Sequence, residues 1–149
     1  MSLNKLVDLK ELVPIIKEQI DNGKTVSFVP RGKSMKPMLG DGTDMIMLKK
    51  PGNRLRLFDV ALYYRKETDK YVVHRLVGFE KDGSYVFLGD NNFQKERHIP
   101  HSDVVGVVTA FYHKGKMRDV NHPLYRLYCD VWFYTRPLRA LWRRIVPRR

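Results

Sequence analysis

The stretch from Tyr71 to Asp90, YVVHRLVGFEKDGSYVFLGD, decides the fold class. It contains two runs rich in β-branched and aromatic residues, which are the residue types that favour strands. The two runs are separated by Asp82-Gly83, and Asp-Gly between apolar runs is typical of a tight hairpin turn. The stretch therefore predicts two antiparallel strands joined at Asp82-Gly83.

Runs of the same character lie on both sides of this hairpin, with turn-forming residues between them. They are Lys24–Pro30, Asp44–Lys50, Asp59–Arg65 and Asp103–Tyr112. Five or six short strands at this spacing predict a mostly-β fold, in the form of a small curled antiparallel sheet or barrel.

Helical periodicity occurs only at the two ends of the chain. Apolar residues at three- and four-residue steps predict a helix from Leu3 to Asp21, in which Pro14 allows either a kink or two short helices. A second amphipathic pattern follows Asp119 and is interrupted at Pro137. The predicted organisation is an N-terminal helical segment, a β domain and a basic amphipathic helical tail, over residues 1–23, 24–118 and 119–149.

Composition limits the classes of protein to consider. The single cysteine, Cys129, excludes an internal disulfide framework and a thiolate zinc cluster. The N-terminal residues carry too many charges for a secretory leader, and no run of about 18 apolar residues predicts a membrane-spanning helix. We therefore expect a cytoplasmic protein or one held peripherally at the cytoplasmic face of the membrane.

The chain has a formal net charge of +12, and much of the excess lies in the tail, where arginines alternate with leucine and tryptophan. This mixture is typical of a helix that lies in a membrane interface and attracts anionic lipid. The alternative is a helix that packs on the sheet with its arginines in water. Nucleic acid is a third and less favoured partner, because charge alone does not discriminate.

The loop VPRGKSMKPMLGDGTD, residues Val29–Asp44, contains the candidate nucleophile Ser34. A serine hydroxyl needs a base to accept its proton and donors to stabilise the oxyanion. Gly32 allows a close backbone approach to a substrate, and Pro37 stiffens the other side of the turn. The loop is thus either a nucleophile loop or an ordinary Gly/Ser/Pro turn.

His74 is the candidate base. Alternation along its strand places it on one face with Val72 and Leu76, so we expect a partly buried imidazole whose pKa its surroundings can tune. The alternative is a core histidine bonded only to neighbouring groups.

These residues stand in an order that resembles a known family. The segments GKSMKPML, FDVALYY, YVVHRL, LGDNN and DVVGVV, within about Phe28–Phe111, resemble the successive motifs of type I signal peptidases, whose β-fold is shared with self-cleaving SOS-response repressors. The resemblance implies that Ser34 is the nucleophile. Most bacterial members have a lysine as general base, whereas His74 resembles the base of the Ser–His branch.

The resemblance also implies a carboxylate that orients His74, and two residues are candidates. Asp90 matches the Gly-Asp-Asn motif, and Glu96 stands where the Ser–His branch has an aspartate. Gly32, Met35 and Pro37 are the expected substrate-binding residues, because they flank Ser34. The expected partner is a peptide or protein substrate, and no metal or organic cofactor is implied.

The predicted function is a serine endopeptidase that cleaves a leader or signal-like peptide with a Ser–His pair. The chain departs from the family in having no predicted membrane anchor. A repressor is disfavoured, because the residues before Ser34 are too few for a DNA-binding domain. The alternative function is a catalytically inactive binding module of the same fold, docked on membrane or nucleic acid through its basic tail.

Overall fold

An antiparallel sheet of eight strands is the central element of residues 9–146, the part of the chain that the computed structural model describes. Within this part, the mostly-β prediction is confirmed. The elements in chain order are α1 (Leu9–Asp21), β1 (Val26–Phe28), β2 (Met45–Lys49), β3 (Val60–Arg65), β4 (Lys70–Phe79), β5 (Tyr85–Leu88), β6 (Glu96–Ile99), a 3-10 turn (His101–Asp103), β7 (Val104–His113), β8 (Lys116–Asp119), α2 (Pro123–Tyr134) and α3 (Arg136–Ile145).

The strands are arranged in the order β1-β2-β7-β3-β4-β5-β6, and β8 pairs with β7 outside this path. All the paired strands are antiparallel, as predicted. The path ends at β1 on one side and at β6 on the other, so the sheet is not closed into a barrel. The eight strands of the described range exceed the five or six predicted, because β6 and β8 are short and polar.

The predicted hairpin joins β4 to β5. Gly83 has a φ of 87°, a conformation that glycine adopts without strain, and its N–H donates to the carbonyl of Glu80 at 3.0 Å. β4 is ten residues long and β5 only four, and the pairing with β5 runs from Arg75 to Phe79. Residues 70–74 therefore pair with β3 alone and leave one edge of β4 free.

Helix α1 lies against the sheet and contributes one apolar stripe to the core. The buried side chains of this stripe are Leu12, Val13, Ile16 and Ile20. Each stabilises the fold by about 1.5–3 kcal/mol through burial. The helix runs through Pro14 as one element, and Gly23, with a φ of 77°, ends it. The predicted start at Leu3 lies outside the described residues.

The tail forms two helices, with the break at Thr135 and Pro137 in the first turn of α3. Helix α2 contributes Tyr125 and Cys129 to the core that also contains the α1 stripe. A helix packed on a sheet is expected to turn its apolar side toward the protein, whereas helix α3 turns its polar side toward it. Its arginines at 136, 139 and 143 contact the rest of the protein, whereas Leu138, Leu141, Trp142 and Ile145 are exposed.

Candidate active site

Ser34 lies, half buried, in the loop of residues 29–44 between β1 and β2. Gly32 has a φ of 103°, which favours glycine, and its N–H donates to Asp41 at 2.8 Å. The loop is fastened to β7 by Asp44, whose carboxylate is 2.5 Å from Nδ1 of His113. The loop is therefore held by one hydrogen bond within its own sequence and by one contact with β7.

A cleft of about 350 Å³ opens beside Ser34. Of the three residues expected to bind substrate, Gly32 and Met35 line this cleft together with Ser34, and Pro37 does not. The lining also includes residues 28–31, residues 71–73 of β4, and Leu9 and Leu12 of α1. Two strands that reach the cleft have an unpaired edge: β1, which ends at Phe28, pairs only with β2, and this part of β4 pairs only with β3.

The segment after β5 holds the backbone of Ser34. The N–H of Asn91 donates to the carbonyl of Ser34 at 2.8 Å, and the Asn91 side chain donates to the carbonyl of Lys33 at 3.0 Å. Gly89 lies so close that a Cβ there would be 2.7 Å from the Ser34 carbonyl oxygen. Leu88, the residue before Gly89, pairs with Arg75 of β4, so the segment that holds Ser34 leaves the sheet at this point.

His74 is buried, with 3% of its surface exposed, and polar groups surround its Nδ1 atom. Nδ1 lies 3.1 Å from the hydroxyl of Tyr63 and 3.3 Å from a carboxylate oxygen of Glu96. Glu96 also accepts hydrogen bonds from Tyr63 and from the guanidinium of Arg65. Of the two acidic residues that the sequence offers, Glu96 is thus the one that contacts the imidazole.

The hydrogen bonds of this cluster are consistent with a single arrangement of protons. Tyr63 has one hydroxyl proton and donates it to Glu96, so its oxygen must accept from Nδ1 of His74. We therefore assign the imidazole proton to Nδ1. Nε2 makes no hydrogen bond to another residue of the described range and is left with its lone pair free to accept a proton.

The same contacts explain the pKa values in the cluster. Burial raises the pKa of Glu96, but hydrogen bonds from His74, Arg65 and Tyr63 outweigh this effect and lower the pKa to about 2. Burial and the hydrogen bond to Glu96 raise the pKa of Tyr63. Glu96 is therefore an anion and Tyr63 a neutral donor at neutral pH, as the proton arrangement requires.

Asp90 lies on the other side of the sheet and has a different partner. Its two carboxylate oxygens accept from Nε and a terminal nitrogen of Arg75 at 2.7 and 2.8 Å, and Tyr128 donates to one of them at 2.8 Å. Both Arg75 and Asp90 are buried. Because His74 and Arg75 are neighbours on β4, their side chains point to opposite faces of the sheet. Asp90 binds Arg75 and therefore lies on the face opposite to the imidazole.

The structure brings Ser34 to the cleft and Glu96 to His74, but among residues 9–146 no hydrogen bond joins Ser34 to His74. In active sites without substrate such a bond is often long and tightens only when the substrate is bound. The backbone N–H of Ser34, the expected oxyanion donor, makes no hydrogen bond to another residue of this range either.

Tyr63, Arg65 and Asn91 were not among the site residues predicted from the sequence. Tyr63 and Arg65 follow Ala61 by two and four residues, and Ala61 pairs with His74. Side chains alternate between the two faces of a strand, so Tyr63 and Arg65 lie on the same face of the sheet as His74. This could have been predicted only if the β3–β4 register had been known. Asn91 lies within the LGDNN segment, and its hydrogen bonds to Ser34 and Lys33 depend on a loop contact that no local pattern encodes.

In the part of the chain that the structure describes, no group of three or more histidine, cysteine, aspartate or glutamate side chains could hold a metal ion. No helix of the described range is both long and apolar enough to cross a membrane. No protein-family model matches the chain, and no curated protein is similar enough to match it.

Proposed function

We propose that this protein is a serine endopeptidase of the signal peptidase type, with Ser34 as nucleophile and His74 as general acid and base. The observation that carries the proposal is the contact of Glu96 with Nδ1 of His74, which resembles the orientation of histidine by a carboxylate in serine hydrolases. Glu96 and Tyr63 orient the ring, and Arg65 holds Glu96 in place.

The chemistry is acyl transfer. Ser34 Oγ attacks the scissile carbonyl carbon while its proton passes to Nε2 of His74, and the Ser34 N–H stabilises the oxyanion. The imidazolium then gives this proton to the departing amide nitrogen, and the C–N bond breaks to leave an ester on Ser34. Water hydrolyses the ester by the same route: its proton passes to His74 and returns to Ser34 Oγ, and the carboxylic acid is released.

The cleft favours an extended peptide as substrate. A strand that enters between residues 28–31 and residues 71–73 can pair with the free edge on either side, which is recognition by β-addition. A volume of about 350 Å³ suits small side chains near the scissile bond. A leader or signal-like peptide, cut after small residues, fits these requirements.

The test is covalent labelling with a serine-directed phosphonate, read by intact mass and by peptide mapping. The wild type is expected to gain one adduct at Ser34 in labelling reactions between about pH 6 and 9. The adduct should be lost in Ser34→Ala and in His74→Ala. The matched control is Ser102→Ala, because Ser102 is an exposed serine outside the cleft, and this variant should keep the adduct.

Absence of an adduct on folded wild-type protein across this pH range would contradict the proposal and favour the inactive binding module. An adduct that persists in Ser34→Ala would also contradict it, since another nucleophile would then be responsible. Circular dichroism of every variant shows whether a lost adduct reflects lost structure.

A further inference from the structure

The two tail helices leave an apolar stripe uncovered. Its α3 residues are Leu138, Leu141, Trp142 and Ile145, and α2 continues it through Leu127 and Val131. The exposed fraction is 68% for Leu138 and 66% for Trp142. The exposed Tyr134 continues the steps of three and four residues from Val131 to Leu138, and the N–H of Thr135 still donates to the carbonyl of Val131 at 3.0 Å. The stripe therefore runs along one side of both helices.

The polar side of α3 faces the protein. Arg139 lies over the ring of Trp132, with its guanidinium carbon 3.6 Å from the ring centroid, and Arg136 donates to the carbonyl of Phe93. Nε of each of these two arginines is buried without a hydrogen-bond partner. A helix in water would be more stable if these donors were hydrated and the leucines buried. The observed orientation is therefore favourable when something apolar covers the stripe.

Positive charge surrounds this stripe. Arg143 and Arg144 are exposed on α3, and Lys36 of the Ser34 loop lines a shallow cavity together with Trp142. From Pro123 to Val146 the chain has five arginines and a single acidic residue, Asp130. A surface that combines large apolar groups, tryptophan and a basic border matches the interface of an anionic bilayer, where acyl chains and negative headgroups meet.

We propose that the apolar stripe of α2 and α3 docks on anionic lipid bilayers and holds the protein at the membrane surface. A second copy of the chain fits less well, because two proteins with a net charge of +12 repel one another. Nucleic acid fits the charge but offers no apolar layer to cover the leucines. The proposal concerns binding alone and does not depend on peptidase activity.

The test is co-sedimentation of the full chain with phosphatidylcholine vesicles, with and without an equal part of phosphatidylglycerol. Binding is expected only with the anionic lipid, and the emission of Trp142 should shift to the blue as its ring leaves water. Leu138→Glu and Trp142→Glu should each weaken binding at least about tenfold, because a carboxylate would enter the apolar layer. Met117→Glu is the matched control, since Met117 is an exposed apolar residue on β8 rather than on the tail.

Three outcomes would overturn the proposal. The first is no binding to anionic vesicles at low salt. The second is binding that Leu138→Glu and Trp142→Glu leave unchanged, because charge alone would then explain it. The third is a concentration-dependent dimer, seen by analytical ultracentrifugation and lost in the same variants, because the stripe would then be an interface between copies.

Discussion

Neutralising Asp90 should destabilise the protein strongly, because the guanidinium of Arg75, the buried partner of Asp90, cannot lose its charge. Arg75 is buried, donates to both oxygens of Asp90 at 2.7 and 2.8 Å, and keeps only neutral partners when Asp90 becomes Asn. At an effective dielectric constant of about 20, two unit charges about 4 Å apart attract by about 4 kcal/mol. Breaking a buried pair by removing one partner costs about 3–5 kcal/mol, and we expect Asp90→Asn to lie in this range.

The measurement is equilibrium unfolding in urea, followed by tryptophan fluorescence. With a slope of about 2 kcal/mol per molar urea, the midpoint should fall by about 2 M. Asp130→Asn is the control, because Asp130 is an exposed aspartate on α2, and it should change stability by less than about 0.5 kcal/mol. Arg75→Met combined with Asp90→Asn should cost less than the sum of the two single changes. A loss below about 1 kcal/mol for Asp90→Asn, with an unchanged slope, would show that the buried Arg75 does not depend on Asp90 for its charge balance.

Two further predictions concern the cluster around His74 and the segment that holds Ser34. Glu96 has a pKa of about 2 in the folded protein against a usual value of 4.5, so its stabilisation is complete above about pH 5 and is lost as the pH falls toward 2. The Glu96→Gln variant should therefore lose up to about 3 kcal/mol of its free energy of unfolding at pH 7. Its urea midpoint should approach that of the wild type near pH 2.5. A difference between variant and wild type that does not change with pH would contradict this prediction. Gly89→Ala places a methyl group 2.7 Å from the Ser34 carbonyl oxygen and should slow phosphonate labelling of Ser34 at least about tenfold by displacing the loop. Gly52→Ala, where a Cβ meets nothing within 4 Å, is the control, and an unchanged labelling rate in Gly89→Ala would rule out this positioning role.

The strands that the sequence predicted are those with an apolar face to bury. β4 and β5 are identified by alternation and by the Asp82-Gly83 turn, which act over a few neighbouring residues. β6 and β8 were missed because they lie beside the main core and have few apolar side chains. β6 also contains His98 with a φ of 60°, an uncommon backbone for a non-glycine residue that no local pattern predicts.

Only those residues of the candidate site that their sequence neighbours identify could be predicted. Ser34 and His74 stand out by their neighbours in sequence, whereas the choice between Asp90 and Glu96 depends on how the segment after β5 returns to the sheet. The inward orientation of the α3 arginines was equally unpredictable. It follows from partners such as Trp132 and Phe93, which meet the helix only in the folded chain.

The adjacent positions of His74 and Arg75 affect the fidelity of folding. Each of these neighbours meets its own carboxylate, Glu96 on one face of the sheet and Asp90 on the other. A shift of β4 by one residue would exchange their faces. It would force a permanently charged guanidinium into the pocket shaped for an imidazole and leave Asp90 without its cation. Misaligned pairings of β4 would therefore be penalised on both faces at once, so the two carboxylate contacts disfavour strand misalignment.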